Sequence, residues 1–93
     1  MTTIVETLDD LAVTLAERSI AYGPPEGGFA TIAGLWSAVL GVEIKPRTVP
    51  LLLGLVKVAR LARDPDHADS WTDAAGYAVL GASMADAKGP CHE

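Results

Sequence analysis

The sequence predicts an all-α protein, a compact bundle of about four helices in a single domain. Three observations lead to this prediction. The chain has 93 residues, which is enough for one hydrophobic core but not for two. Alanine, the residue with the highest helix propensity, occurs 15 times. Apolar residues recur at helical spacing in segments that glycine and proline separate.

The first predicted helix begins after Thr3, which forms a capping-box sequence with Glu6 three residues later. An apolar stripe then follows at spacings of four and three residues, formed by Ile4, Leu8, Leu11 and Leu15. The segment 22–28 is rich in glycine and proline, so we expect it to end this helix and to form a loop.

Three further helices are predicted from the same signals. The second covers residues 29–40 and has one apolar face, formed by Phe29, Ile32, Ala33, Trp36 and Leu40. The third covers residues 49–63, with Thr48 as N-cap and Pro50 in the first turn. The fourth is capped by Ser70 or Asp69 and continues to about Ala87. We expect residues 88–93 to be a flexible tail of the single domain 1–93.

The third helix is apolar almost all round, and this distinguishes it from the others. A helix without a polar side has to be covered on most sides, so we expect it to be the central helix or part of an oligomer interface. A short chain in which 49% of residues are apolar is hard to keep monomeric, which favours a homo-oligomer.

Composition and charge exclude several classes of function. The net charge of −5 argues against nucleic-acid binding, which requires a basic face. A single cysteine, Cys91, excludes a disulfide framework and a four-cysteine zinc site. The apolar run 49–62 is too short and too charged to span a membrane, and the first residues lack the features of a signal peptide. We therefore expect a cytoplasmic protein.

Two cations inside the apolar third helix are the most informative polar feature. Lys57 and Arg60 are three residues apart and share a face. If the third and fourth helices are antiparallel, this face meets Asp69, Asp73 and Tyr77. Because desolvating a cation is costly without a partner anion, one interpretation is an interhelical salt-bridge network. The other is a polar pocket in which Lys57 or Arg60 binds a phosphate.

Two weaker candidates are the glycine-rich loop and a group of acids. Tyr22 and Gly23 begin a loop whose backbone donors, with the following helix N-terminus, suit an anion, but no Walker motif is present. The acids around His67 have oxygen ligands that suit Mg²⁺, although capping and turn formation explain them without a metal. They are Asp64, Asp66, Asp69 and Asp73.

In combination, these residues resemble a family of small helical proteins encoded mostly by phages and prophages. The resemblance spans residues 18–82. Its motifs are Arg18-x-x-x-Tyr22-Gly23, Phe29, Ile32, Leu35-Trp36, Lys57-x-x-Arg60 and His67-x-Asp69-Ser70-x-x-Asp73-x-x-Gly76-Tyr77. Part of this pattern is also distantly similar to the phage-type nucleotide kinase domain that lacks a Walker loop, although a lysine is expected at Gly76.

The resemblance implies phage origin, hence a host-cytoplasmic protein, and nucleotide handling during infection. It selects eight positions as ligand-binding candidates: Arg18, Tyr22, Gly23, Lys57, Arg60, Asp69, Asp73 and Tyr77. We expect a non-enzymatic oligomer that holds a nucleotide, or a cyclic or modified signalling nucleotide of host immunity, at subunit interfaces. Basic side chains would neutralise the phosphate while a tyrosine or tryptophan stacks on the base, and no cofactor is expected.

Two other functions stay open at this point. One is a Mg²⁺-dependent enzyme of deoxynucleotide metabolism, either a nucleotide kinase or an NTP pyrophosphohydrolase, in which Asp66, Asp69 or Asp73 holds the metal. The other is a structural interaction module in which the polar face only fixes the register of two helices. For each of these functions, we expect neither nucleic acid nor a membrane as a partner.

Overall fold

The structure is a computed structural model that describes residues 3–23 and 25–84. Within these residues, four helices follow one another: α1 (Ile4–Tyr22), α2 (Pro25–Leu40), α3 (Thr48–Arg63) and α4 (Ala68–Ser83). No strand occurs within the described residues, and the predicted all-α class with four helices is confirmed. The predicted end of the fourth helix near Ala87 and the predicted tail 88–93 lie outside the described residues.

Helix α1 begins with the predicted capping box. The Glu6 backbone N–H donates to Thr3 Oγ1 over 3.0 Å, and the Thr3 backbone N–H donates to Glu6 Oε1 over 2.8 Å. The predicted apolar stripe is only partly packed, because Leu11 is buried and Leu15 half-buried, whereas Ile4 and Leu8 are exposed. Helix α1 is therefore held to the bundle by its middle and second half.

Acidification is expected to loosen the start of α1. Hydrogen bonds from the Thr3 backbone and side chain hold the pKa of Glu6 below its ordinary value. A carboxyl with a lowered folded-state pKa stabilises the helix above its ordinary pKa, and this contribution disappears as the pH falls through the folded-state value. The Cα chemical shifts of the first turn should therefore lose helical character between about pH 5 and about pH 3.

The matched variant for this prediction is Glu6→Gln, whose amide oxygen can accept the same hydrogen bond without titrating. The first turn of this variant should keep constant chemical shifts over the same pH range. An equal pH-dependent change in both proteins would show that another group controls the start of α1.

The connection between α1 and α2 is shorter than the sequence predicts. Gly23 has a φ of 80°, in a region that favours glycine, and its N–H donates to Ser19 O over 2.9 Å. Helix α2 already begins at Pro25, so the predicted loop over 22–28 and the predicted helix start near Phe29 are wrong. The reason is that proline fits the first turn of a helix, where its missing N–H removes no hydrogen bond.

A small core lies where α2 meets the start of α3. Phe29, Ala33 and Val49 are buried, and partly buried apolar side chains pack around them: Ile32, Trp36, Ile44, Leu53, Tyr77, Leu80 and Met84. Leu40, which the sequence places on the same face of α2 as Phe29, is instead 62% exposed. This happens because the chain turns away at Gly41 and leaves the last turn of α2 outside the core.

Ser37 fixes the chain where it returns from α2 toward α3. Its Oγ donates to Ala33 O over 2.7 Å and accepts from the Ile44 N–H over 2.8 Å. The returning segment is therefore bonded to the last half of α2, and this places the Ile44 side chain against the core.

Helices α3 and α4 form an antiparallel hairpin. A Cβ atom added at Gly81 would lie 3.6 Å from Pro50, and one added at Gly54 would lie 3.6 Å from the Cβ atom of Tyr77. A contact residue further toward the C-terminus of α3 therefore has its partner further toward the N-terminus of α4. The antiparallel packing on which the sequence interpretation depends is therefore present, and the glycines permit close helix approach.

Both predicted caps of this hairpin are wrong. Arg47 precedes α3 without a side-chain capping bond, and Thr48 is already the first helical residue. Helix α4 begins at Ala68 with His67 as N-cap, so Asp69 and Ser70 lie within its first turn. A histidine ring nitrogen can accept a backbone N–H as the usual capping oxygens do, and here it takes the bond that the sequence pattern assigns to Ser70 or Asp69.

Within the described residues, the apolar helix α3 is not covered on most sides. It packs against α4 and against α2. Its remaining face is open, with Leu51, Leu55, Val56 and Val58 at least half exposed. Of the two expectations for this helix, the central position is wrong, and a role in an oligomer interface stays a prediction.

Candidate ligand-binding cleft

A cleft of about 270 Å³ lies beside the C-terminal half of α3 and the connection to α4. Its polar lining consists of Lys57, Arg60, Arg63, His67 and Ser70, with Val56 and Ala59 as the apolar part. We call this the cationic cleft. Three of its side chains carry a positive charge, although the whole chain has a net charge of −5.

Lys57 is held at one side of the cationic cleft by an ion pair. Its Nζ lies 3.0 Å from Asp73 Oδ2, and each side chain is about one-third exposed, at 33% and 32%. This is the pairing that the antiparallel arrangement predicts. An ammonium group has three protons, so the pair leaves Lys57 with donors for a further acceptor.

Arg60 and Arg63 occupy the last turn of α3 and are exposed. Cations at this position are favourable because the carbonyl end of a helix carries partial negative charge. Among the described residues, the Lys57–Asp73 pair is the only salt bridge, so neither guanidinium has a carboxylate partner there. Both groups are available to an anion that enters the cationic cleft.

His67 and Ser70 build the floor where α4 begins. His67 Nδ1 accepts the Ser70 backbone N–H over 3.2 Å and lies 2.7 Å from Ser70 Oγ. An Nδ1 that accepts the backbone N–H carries no proton, so we assign the neutral ring with its proton on Nε2. The hydrogen bond with His67 gives the buried Ser70 hydroxyl a partner, and it fixes the His67 ring at the cleft.

The eight residues that the sequence selects do not meet in one pocket. Lys57 and Arg60 line the cationic cleft. Asp73 and Tyr77 line a groove of about 140 Å³ between α1 and α4, together with Arg18. Gly23 lines a second groove with Arg18, of about 220 Å³.

The two other selected residues lie apart from these sites or cannot be placed. Asp69 is exposed in the first turn of α4. Tyr22 ends α1, and its side chain lies outside the described part of the structure. The predicted stacking of a tyrosine beside the cations Lys57 and Arg60 therefore has no counterpart among the described lining residues of the cationic cleft.

Arg63 and His67 are lining residues that the sequence analysis did not select. A signal for Arg63 is present, because Lys57, Arg60 and Arg63 repeat at intervals of three residues. His67 begins the motif His67-x-Asp69-Ser70 of the family resemblance, but it was not among the eight selected positions. Its place in the cleft depends on its capping of α4, which the sequence pattern assigns to other residues.

The acids that were candidates for Mg²⁺ are not gathered into one site. Within the described ranges 3–23 and 25–84, no group of three or more potential ligands of the His, Cys, Asp or Glu type could hold a metal ion. Asp64 Oδ1 instead accepts the Asp66 N–H over 3.3 Å, and Asp73 pairs with Lys57. In the same ranges, no helix is long and apolar enough to cross a membrane.

A family model described as a domain of unknown function, DUF6378, matches residues 6–85. The chain belongs to this family. No solved structure is a significant match to the chain. The description of DUF6378 names no activity, so the site has to be interpreted from its own geometry.

Two similar proteins come from mycobacteriophages. The Gene 55 protein of Mycobacterium phage D29 is 45% identical over 62 residues, which is 67% of this chain and 41% of that protein. The Gene 55 protein of Mycobacterium phage L5 is 38% identical over 63 residues, or 67% of this chain and 40% of that protein. The chain thus spans about two-fifths of the length of these relatives. The predicted resemblance to a phage-encoded family is confirmed.

Proposed function

We propose that this DUF6378 protein binds a small phosphorylated ligand of the nucleotide class in the cationic cleft and holds it without converting it. The observation that carries the proposal is the presence of two guanidinium groups with no carboxylate partner among the described residues, beside a lysine, in one cleft of about 270 Å³. Guanidinium groups suit phosphate because they donate two parallel hydrogen bonds to its oxygens.

The local charge supports an anionic ligand in spite of the acidic chain. Arg60 and Arg63 add two positive charges, while Lys57 is offset by Asp73. A convergent group of this kind can attract an anion locally although the distant surface has the opposite sign. The attraction acts through partly exposed groups, so we expect the affinity to fall as the salt concentration rises.

The described lining residues favour recognition of phosphate over recognition of the base. The cationic cleft contains no Phe, Tyr or Trp side chain among them, and the His67 ring is held by Ser70; its volume is slightly below the about 300–1,000 Å³ typical of pockets that enclose a whole drug-sized ligand. We therefore expect the phosphates to bind in the cleft and the base to remain near the rim. Affinity should depend strongly on the number of phosphates and weakly on the identity of the base.

Calorimetric titration with AMP, ADP and ATP tests the proposal, first in EDTA and then with Mg²⁺. Hydrogen bonds to charged groups contribute about 1.5–3 kcal/mol each, so one added phosphate that reaches the guanidinium groups should tighten binding by about tenfold. Binding should not require Mg²⁺, and the nucleotide should be recovered unchanged. A cyclic nucleotide in the same panel tests the signalling-ligand interpretation.

Three results would count against this function. Mg²⁺-dependent conversion of the nucleotide would favour the enzyme of deoxynucleotide metabolism. Equal affinity for AMP and ATP would show that the guanidinium groups do not recognise phosphate. The absence of binding by every member of the panel would favour a structural interaction module, in which the Lys57–Asp73 pair serves only helix register.

Asp73→Asn is expected to separate the two roles of Lys57. Removing the carboxylate charge frees the ammonium group for a phosphate, so ATP affinity should rise severalfold, while stability should fall by at most about 1 kcal/mol because the pair is partly exposed. Titration and thermal denaturation of the same sample measure both effects. Unchanged affinity together with lower stability would assign Lys57 to helix register alone.

A further inference from the structure

One face of the α3–α4 hairpin is left uncovered by α1 and α2. Some α3 residues come one position before a residue that contacts α4, and these lie on the side of the hairpin that faces the core; Val49 and Leu53 are examples. The α3 residues that come one position after a residue in contact with α4 lie on the opposite side. They are Leu51, Leu55, Val58 and Ala62, and the three larger side chains are 64%, 54% and 50% exposed.

Helix α4 extends this surface on the same side of the hairpin. Trp71, Ala78 and Ala82 also lie one position after residues that face α3, and all three are exposed. Leu51, Ala78 and Ala82 line one shallow groove, so the two helices present a continuous surface. We call it the uncovered face.

The uncovered face has the pattern of a helix-packing surface. Its residues on α3 follow one another at spacings of four, three and four, which is the spacing of side chains that interlock between packed helices. No charged residue occurs among the residues of either helix that form it. Two copies of such a face can meet without bringing like charges together, although each chain has a net charge of −5.

The size of the uncovered face fits a small but specific dimer. Both helices have 16 residues, so at about 1.5 Å per residue and about 10 Å per helix diameter the face measures roughly 24 by 20 Å. Pairing two copies would bury roughly 960 Å² in total, which is below the about 1,200 Å² at which stable interfaces begin and corresponds to a weak dimer. We expect dissociation in the micromolar range.

Opposite charges at the two ends of the hairpin favour one relative direction of the two copies. Lys45 and Arg47 lie at the end where α3 begins and line the same groove as Leu51. At the opposite end, Asp64 and Asp66 in the turn between the helices and Asp69 in the first turn of α4 outnumber the two arginines of the cationic cleft, which lie on the other side of α3. A two-fold axis through the middle of the uncovered face brings the cationic end of one copy to the acidic end of the other.

We propose that the uncovered face binds the same face of a second copy, with the two α3 helices antiparallel across a two-fold axis. The two hairpins then pack face to face as two layers of two helices, with α1 and α2 of each copy on the outside. The cationic cleft is lined by residues on the other side of α3, so each copy retains its own cleft.

Sedimentation equilibrium near 100 µM tests the dimer, since this concentration lies well above the expected dissociation constant. The unmodified protein should sediment at about 19 kDa, twice the chain mass of 9.7 kDa. Leu55→Glu should weaken dimerisation at least tenfold, because the carboxylate would be buried without a partner. The matched control is Val39→Glu on α2, which is 83% exposed and lies off the face.

Each other outcome contradicts the proposal. A monomeric unmodified protein would show that this surface does not bind a second copy. A dimer that survives Leu55→Glu but not Val39→Glu would place the interface elsewhere. Circular dichroism of both variants checks that the helices remain formed.

Cross-linking in a Cys91→Ser background tests the antiparallel direction. Leu51→Cys in one copy should form a disulfide with Ala62→Cys in the other, because a two-fold axis near the middle of α3 opposes these two positions. Leu51→Cys should not cross-link with itself. Efficient self-linking at position 51 would instead indicate parallel helices and would overturn the charge argument.

Discussion

Phe29→Ala is expected to cause the largest loss of stability of any single truncation in this protein. Phe29 is buried in the small cluster that joins α2 to α3, beside Ala33 and Val49. Truncating a buried phenylalanine costs about 3–5 kcal/mol, because it removes apolar contacts and leaves a cavity. Whole domains are stable by only about 5–15 kcal/mol, so the variant should lose a large part of the free energy of unfolding.

Thermal denaturation followed by circular dichroism measures this effect. A loss of 3–5 kcal/mol should lower Tm by more than about 10 °C in a domain of this size. The control is Leu40→Ala on the same helix, which should change Tm little because Leu40 is 62% exposed. An equally large loss in the control would mean that the last turn of α2 is packed, and that the core is larger than the buried cluster.

This pair of variants also shows how far the sequence predicts the packing. Helical periodicity assigns Phe29 and Leu40 to one apolar face. It shows which residues share a face, but not how far along that face the neighbouring helix extends. The same limit applies in α1, where Ile4 and Leu8 continue the stripe of Leu11 but are exposed. The number and order of the helices could be predicted because turn residues separate them. The extent of each contact depends on tertiary packing.

The helix boundaries fail where two local signals compete. The glycines of segment 22–28 suggest a loop, yet the helix-compatible geometry of Pro25 prevails and α2 starts there. At α4, Ser70 and Asp69 have the side chains usual for a cap, yet His67 takes this position. At α4 a residue that seldom caps a helix sets the boundary, whereas at α2 proline takes a usual first-turn position and outweighs the glycines that follow it.

The candidate site could be predicted in part, because charge in an apolar helix is visible in a sequence. The antiparallel hairpin then dictates that Lys57 lies opposite Asp73, at 3.0 Å. The antiparallel hairpin does not bring all eight selected residues together, because Arg18 belongs to α1 and lines grooves on that side of α4. Its distance from Arg60 depends on how α1 docks, which no sequence motif specifies.

Arg60→Glu is expected to abolish most nucleotide binding. It replaces a charge-assisted donor of the cationic cleft by a carboxylate that repels phosphate, so ATP affinity should fall at least about a hundredfold, or about 2.7 kcal/mol. Arg18→Glu changes the net charge by the same amount but alters the grooves beside α1. This charge-matched control should stay within about threefold of the unmodified protein, because Arg18 is exposed, does not line the cationic cleft, and is screened by salt.

The comparison of these two variants decides between two locations for the ligand. A carboxylate in the last turn of α3 opposes the helix dipole and costs about 0.3–1 kcal/mol of stability, so Arg60→Gln is included to remove the charge without adding the opposite one. Its affinity should lie between those of the unmodified protein and Arg60→Glu. If Arg18→Glu loses binding while both Arg60 variants keep it, the ligand binds between α1 and α4, where Asp73 and Tyr77 would contact it instead.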